Sequence, residues 1–269
     1  MTGLRSVTLG AKNLKKISTL FHYQLGMSVK TKGEALRFGD ADLSPGTRVH
    51  FVEIPHYSTK DQHIYSLGLR VPTDEALQEY QTILGEHGIQ YSEITMLNTH
   101  KCFHFMSPEG HRIVIYSDEH NSGEPLGTPS TYSSVNPLHQ IQGLGPVVLR
   151  VNDLLLTRSV LSRVFDIEAF AEYTLSEDED KDVLVFQIGD GGLGGELHMY
   201  QSDETLDLPD YGIGEQVEFA TDDKGQFELA KEELDEIGIP YQTLDQDNTK
   251  SLRINEASGI SFILTLEYN

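Results

Sequence analysis

The sequence predicts an α+β protein of four βαβββ modules that form two lobes, with curved mixed sheets around cavities. Three observations carry this. Two helical segments read alike, TDEALQEYQTILGEHGIQY from Thr73 and TDDKGQFELAKEELDEIGIPY from Thr221. Two strand-to-helix entries also match, SVTLGAKNLKKISTLFHYQLGMSV from Ser6 and PVVLRVNDLLLTRSVLSRVFDIEAF from Pro146. Each helix is then followed by three short runs of alternating or β-branched character, the signature of half-buried strands. Self-similarity of this kind marks a repeated supersecondary unit.

The elements follow in order. Thr-Asp opens each of the two matching helices, which offers side-chain oxygens to the unpaired first-turn amides and acidic charge to the helix dipole. Gly-Ile-X-Tyr closes them, with Gly88 and Gly238 placed to take the left-handed turn after a helix. In the other two modules an Asn, Asn13 or Asn152, leads into the helix. The strand runs are MSVKTKG, EALRFGD and RVHFVEI in the first module, and YSEITML, KCFHFMS and HRIVIYS in the second. The third has EAFAEYT, DVLVFQI and ELHMYQS, and the fourth YQTLDQD, SLRINEA and ISFILTL. This gives modules 1–57, 60–118, 140–202 and 211–269. Residues 119–139, rich in Ser, Pro and Gly, form a linker between a half 1–118 and a half 140–269. One helix covers one face of each small sheet, so paired sheets curve around a shared cavity on the other face.

Composition sets limits on function. The 269 residues are 38% hydrophobic and 23% charged, a globular balance. A net charge of -22 repels phosphate backbones and anionic membranes, so neither nucleic acid nor a membrane is an expected partner. The single cysteine, Cys102, cannot form an internal disulfide, and MTGLRSVTLG has no apolar signal region. A cytoplasmic protein is expected. A small-molecule ligand is the expected partner, and a homodimer is left open.

The stretches PGTRVHFVEIP (45–55), SPEGHRIVIYSDE (107–119), LHQIQGLGPVVLRV (138–151) and KSLRINEASGISF (250–262) resemble the vicinal-oxygen-chelate superfamily, which contains glyoxalase I, bleomycin-resistance proteins and type I extradiol dioxygenases. Within it the chain resembles bacterial ring-cleaving dioxygenases that act on hydroquinones and catechols. The resemblance implies a triad of two histidines and one glutamate that holds Fe(II) or Mn(II). Its positions fall here on Ser6, Gln216 and Ile263, so all three ligands are absent. An Arg and a Tyr that assist substrate ionisation in the family fall on Gln246 and Arg253. No metal cofactor is therefore expected; Fe(II) or Mn(II) returns only if the triad lies elsewhere.

The resemblance offers eight ligand positions at the first and last strands of the modules. The first strands place Ser6, Ser66, Gly145 and Gln216 there, and the last strands His50, Val114, His198 and Ile263. If modules pair one with four and two with three, each cavity receives one of the repeat-equivalent histidines. The first cavity then has Ser6, His50, Gln216, Arg253 and Ile263 as ligand-pocket candidates, with Arg253 favouring an anion or phenolate. The second has His104, Cys102 and His198. In THKCFHFM, His100, Cys102 and His104 alternate and would share one strand face. They could serve a relocated metal with nitrogen and sulfur ligands, or an imidazole-activated thiolate, or be a buried Cys between two histidines. GDGGLGGE (189–196) leads into a strand and reads as a hairpin loop without a phosphate site, and SEDEDKD (176–182) reads as a solvated turn.

The function expected is binding of a small aromatic or anionic ligand without dioxygenase chemistry. The alternatives are an extradiol-type ring-cleaving dioxygenase with relocated metal ligands, and a regulatory homologue acting through its surface.

Overall fold

The computed structural model describes residues 1–33, 35–39, 48–58, 60, 62–175, 181–206, 215–246 and 249–267. Four copies of one pattern follow each other. The first is β1 (Gly3–Ala11), α1 (Leu14–Ser18), β2 (Val29–Lys32), β3 (Ala35–Phe38) and β4 (Val49–Glu53). The second is β5 (Ile64–Val71), α2 (Asp74–Glu86), β6 (Thr95–Leu97), β7 (His100–Met106) and β8 (Arg112–Ser117). The third is β9 (Gly143–Val151), α3 (Leu154–Phe165), β10 (Ala169–Thr174), β11 (Asp182–Gln187) and β12 (Glu196–Gln201). The fourth is β13 (Gln216–Thr221), α4 (Lys224–Ile237), β14 (Tyr241–Gln246), β15 (Thr249–Asn255) and β16 (Ser261–Glu267).

These strands make two eight-stranded mixed sheets, in the orders β14-β15-β16-β13-β1-β4-β3-β2 and β10-β11-β12-β9-β5-β8-β7-β6. Modules one and four share the first sheet through antiparallel β1 and β13, and modules two and three share the second through β5 and β9. Each sheet thus takes one module from each half of the sequence. Within every module the first and last strands run parallel and side by side.

Local chemistry sets the helix starts. Asn13 accepts from the amides of Lys15 and Lys16, and Thr73 from that of Ala76. At the other two helices the cap differs from the residue expected. Asp153 caps α3, because the carboxamide of Asn152 is engaged by the backbone of Leu206. Asp223 caps α4, while the Thr221 hydroxyl donates to Gln226. Gly238 closes α4 at φ +72°, and Gly88 follows α2 at φ +70°. Beyond α1 the chain runs into a π-helical stretch, Thr19–Gln24, rather than a longer α-helix. No helix of the described residues is long and apolar enough to cross a membrane.

The helices cover one face of each sheet. Ala76, Leu77, Tyr80 and Leu84 of α2 are buried, and α2 packs on β5, β7 and β8. Phe21, Phe38 and Phe51 cluster in module one, with ring centroids 5.1–6.1 Å apart. Phe165 of α3 meets Phe219 and Phe262 of the other sheet at 5.6 and 6.4 Å, which ties the lobes together. Burying each such ring stabilises by about 1.5–3 kcal/mol.

The linker is stitched down by one buried cation. Arg70 of β5 donates to the carboxylate of Asp118 at 2.7 Å and to the carbonyls of Leu144, Glu124 and Pro125. Glycine at 194 makes room for it, since a Cβ there would lie 2.4 Å from the guanidinium. The loop around GDGGLGGE is therefore packed against Arg70 and the linker. Of SEDEDKD, residues 176–180 lie outside the described residues.

Candidate functional site

The bare face of the first sheet holds the first group of candidates on adjoining rungs. Ser6 stands opposite Glu218 and Thr8 opposite Gln216 across the β1/β13 pair. His50 neighbours Thr8, Ile263 neighbours Glu218, and Arg253 stands opposite Ile263. Ser6, His50, Gln216 and Ile263 are thus related by a local two-fold axis between β1 and β13. Gln246 is the last residue of β14.

This face carries an ion-pair network centred on residues outside the candidate set. A register slip between Leu4 and Ser6 lets both Arg5 and Ser6 serve the same side of the sheet. The Arg5 guanidinium donates to Glu218 at 2.6 Å and to Glu267 at 2.5 Å. Glu218 also accepts from the hydroxyls of Ser6 (2.5 Å) and Thr265 (2.6 Å). Arg48, buried, lies 3.5 Å from Glu267. Burial opposes the charge on Glu218, yet the Arg5 cation and the two hydroxyl donors hold its carboxyl below the ordinary range. His50 is kept neutral by burial, down to about 4, and its buried Nε2 has no hydrogen-bond partner among the described residues. Arg253 donates to Ser261, whose hydroxyl donates to Asn255.

A divalent iron or manganese site needs about three imidazole or carboxylate donors. The triad positions offer a hydroxyl, a carboxamide and an alkyl chain. The nearest carboxylate, Glu218, is already neutralised by a guanidinium, whose charge repels a metal ion. The residues present do not fit that metal. Among the described residues no group of three His, Cys, Asp or Glu could hold a metal ion.

The second sheet keeps its cleft open. A cavity of about 450 Å³ is lined by Tyr65 and Ser66 of β5, Cys102 and His104 of β7, and Arg112 and Tyr116 of β8, among others. Tyr173 of β10 and Val114 of β8 also line it. The Arg112 guanidinium lies over the Tyr65 ring, 5.6 Å from its centroid. Tyr65 meets Tyr200 edge-on at 5.6 Å. Behind the lining stands His198, which is buried. Its Nδ1 is 3.1 Å from the Tyr173 hydroxyl and its Nε2 is 2.9 Å from a Glu196 carboxylate oxygen. A carboxylate only accepts, so Nε2 carries the ring proton and Nδ1 accepts the Tyr173 proton. Burial, then the charge of Glu196, pushes the Tyr173 phenol up to about 12.

The second group of candidates is therefore split. Cys102 and His104 line the cavity, and His198 lies behind Tyr173. His100 lines a separate shallow pocket with Asp74 and Lys101. Among the described residues no metal-binding group joins them. The Cys102 sulfur sits 4.0 Å from the Thr95 hydroxyl, and burial pushes its thiol up, the direction opposite to activation. Ser66 pairs with Val148, and the β5/β9 register shifts between Ile64 and Ser66 and between Leu67 and Leu69. Sequence reasoning missed Arg5, Glu218, Glu267, Tyr173 and Glu196. Two signals were available: Glu-x-His in GELHMY and Gln-x-Glu in EQVEFA each set two polar side chains on one strand face.

The architecture is the vicinal-oxygen-chelate fold, and the chain is glyoxalase- and dioxygenase-like. Over 98% of its length it superposes on 92% of glyoxalase I from Zea mays, at 13% identity and a TM-score of 0.59. Over 99% it superposes on 85% of a presumed dioxygenase from Bacillus subtilis subsp. subtilis str. 168, at 16% identity and a TM-score of 0.74. In sequence it is 29% identical over 245 residues to MhqA of Bacillus subtilis (strain 168), a presumed ring-cleaving dioxygenase, with 86% of this chain and 74% of the relative covered. No protein-family model matches the chain.

Proposed function

We propose that the protein binds a small aromatic ligand bearing a hydroxyl or acidic group in the cleft of modules two and three, without metal-dependent ring cleavage. One observation carries the reading: a cavity of about 450 Å³ lined by Tyr65, Tyr116 and Tyr173 with Arg112 on its wall. Ligand pockets run from about 300 to 1,000 Å³, so one substituted ring fits. Tyrosine edges and faces suit an aromatic ring. Arg112 supplies a charge-assisted donor for a carboxylate or phenolate in a protein whose overall field repels anions. The relationship to MhqA supports a ring-shaped ligand. The mismatch of Ser6, Gln216 and Ile263 with a metal argues against the cleavage step.

This moves the ligand from the cleft of modules one and four, where the sequence placed it. There Arg5, Glu218 and Glu267 satisfy one another, and Arg253 is held by Ser261.

The test is calorimetric titration with benzoate, catechol and hydroquinone, with elemental analysis of the same preparation after expression in iron- and manganese-supplemented medium. Micromolar-to-millimolar binding to metal-free protein is expected, weakened about tenfold or more in Arg112→Leu. Stoichiometric iron or manganese, with turnover of hydroquinone or catechol, would overturn the reading. So would affinities that Arg112→Leu leaves unchanged.

A further inference from the structure

We propose that Tyr173, His198 and Glu196 form a proton relay that takes the hydroxyl proton of a phenolic ligand in the second cleft, so that the ligand is held as its phenolate in the cavity that Arg112 lines. The proposal rests on the reading of this cleft as a ligand site and adds what the site does to its ligand.

Geometry sets the direction. Tyr173 stands between the cavity and His198, and its hydroxyl proton points at Nδ1. The lone pairs of its oxygen are then left to accept from a hydroxyl in the cavity. When a ligand O–H donates there, its proton passes to the Tyr173 oxygen as the Tyr173 O–H bond breaks and that proton moves to Nδ1. His198 becomes an imidazolium that keeps its Nε2 proton and donates it in a hydrogen bond to the Glu196 carboxylate. No electrons are exchanged and no group leaves. The products are a phenolate and an imidazolium–carboxylate pair.

The arrangement exceeds what packing requires. A buried neutral histidine needs a single hydrogen bond, and His198 has one on each nitrogen, one of them to a carboxylate. Val148, Val183 and Tyr200 form a buried cluster against which Tyr173 packs. Tyr173 returns to its neutral form after passing the proton, because its surroundings disfavour tyrosinate. The other titratable or charged groups near the relay include Tyr65, Tyr116, Tyr200, Cys102 and Arg112, with His104 and Glu93 on the same cavity wall. Of these, Arg112 is the permanent cation.

Magnitude limits the ligand class. A phenol near 10 and an imidazole near 6.5 differ by about 3.5 in pKa. Glu196 and Arg112 have to close that gap, so acidic phenols ionise most readily. Para-nitrophenol is a fitting probe, since its phenolate absorbs visible light and its phenol does not.

The experiment is a pH titration of para-nitrophenol with and without the whole protein, read by absorbance, with binding followed by calorimetry. In the wild type the apparent pKa of the bound probe should fall by about 1 or more, which is tenfold or more ionised probe per neutral probe. Tyr173→Phe and His198→Asn should lose that fall in the probe they bind, with saturation set for each variant from its own calorimetric titration. Glu196→Gln should lose part of it. Circular dichroism checks that each variant is folded, and the near-isosteric Tyr173→Phe and Glu196→Gln carry the test if His198→Asn is not. A full pKa fall surviving in Tyr173→Phe and Glu196→Gln would overturn the relay alone. Absence of probe binding to the wild type would overturn the cleft reading and the relay with it.

Discussion

Rung for rung the two sheets correspond, with His50 of β4 answering His198 of β12, yet their open faces hold different chemistry. In the first, Arg5, Arg48, Glu218 and Glu267 pair with one another. In the second, tyrosines and one arginine line a cavity of about 450 Å³. The difference turns on few residues. Complementary charges on one face bond to each other, whereas the rings of the other stand around open space. The same scaffold therefore carries two different chemistries on equivalent faces.

The largest effect should come from breaking the charged face. Glu218→Ala leaves the Arg5 guanidinium buried without its main partner and frees the hydroxyls of Ser6 and Thr265. The cost expected is about 3–5 kcal/mol, read as a fall in the urea midpoint. Replacing the pair together, with Arg5→Met and Glu218→Leu, should recover most of it, because an apolar pair of similar volume often matches a buried ion pair. A single variant that costs under about 1 kcal/mol would mean the network does not hold this cleft together.

Glu215 gives a second contrast, three residues from Glu218. Burial raises its carboxyl from 4.5 to about 7, despite bonds from the amides of His63 and Ile64 and the Tyr57 hydroxyl. Between those values the folded state holds a proton that the unfolded chain has lost. Stability should therefore fall as pH rises from about 4.5 to 7, by roughly 3 kcal/mol. Glu218, with its carboxyl lowered, works in the other sense: its stabilisation is complete above the unfolded value and is lost as pH falls through the folded one. Chemical denaturation across this range should show the decline toward neutral pH flattened in Glu215→Gln and the acid-side loss reduced in the Arg5→Met, Glu218→Leu double variant. A Glu215→Gln profile that overlays the wild type would refute the assignment.

The modules were legible because helix and strand periods and the closing glycines are local features, and Gly238 takes the conformation its position implies. The pairing of modules one with four was legible only through resemblance, since no local signal states which sheet edges meet. The candidate sites were half legible. The positions of Ser6, His50, Gln216 and Ile263 came from the resemblance, and the strand pairing places them on adjoining rungs. The network beside them depends on the register slip at Leu4 and Ser6, which brings Arg5 onto a face that strict alternation would deny it. The Tyr173–His198 bond spans β10 and β12 across β11, so it needs the sheet order before it can be seen.

The smallest effect compares the two equivalent histidines directly. His50→Leu removes a buried imidazole whose Nε2 has no partner among the described residues, so the lost transfer cost of that polar atom offsets the change of shape. Stability should move by less than about 1 kcal/mol. His198→Leu leaves the Tyr173 hydroxyl and the Glu196 carboxylate without the ring that joins them. Orphaned buried polar groups cost about 1–3 kcal/mol, and Glu196 keeps part of its solvent contact, which places the loss toward the lower end. Urea midpoints of the two variants, measured side by side, test this. If His50→Leu proves the more damaging, then the first face depends on its imidazole for a contact that the Arg5 and Glu218 network does not supply, and the contrast between the two histidines would have to be redrawn.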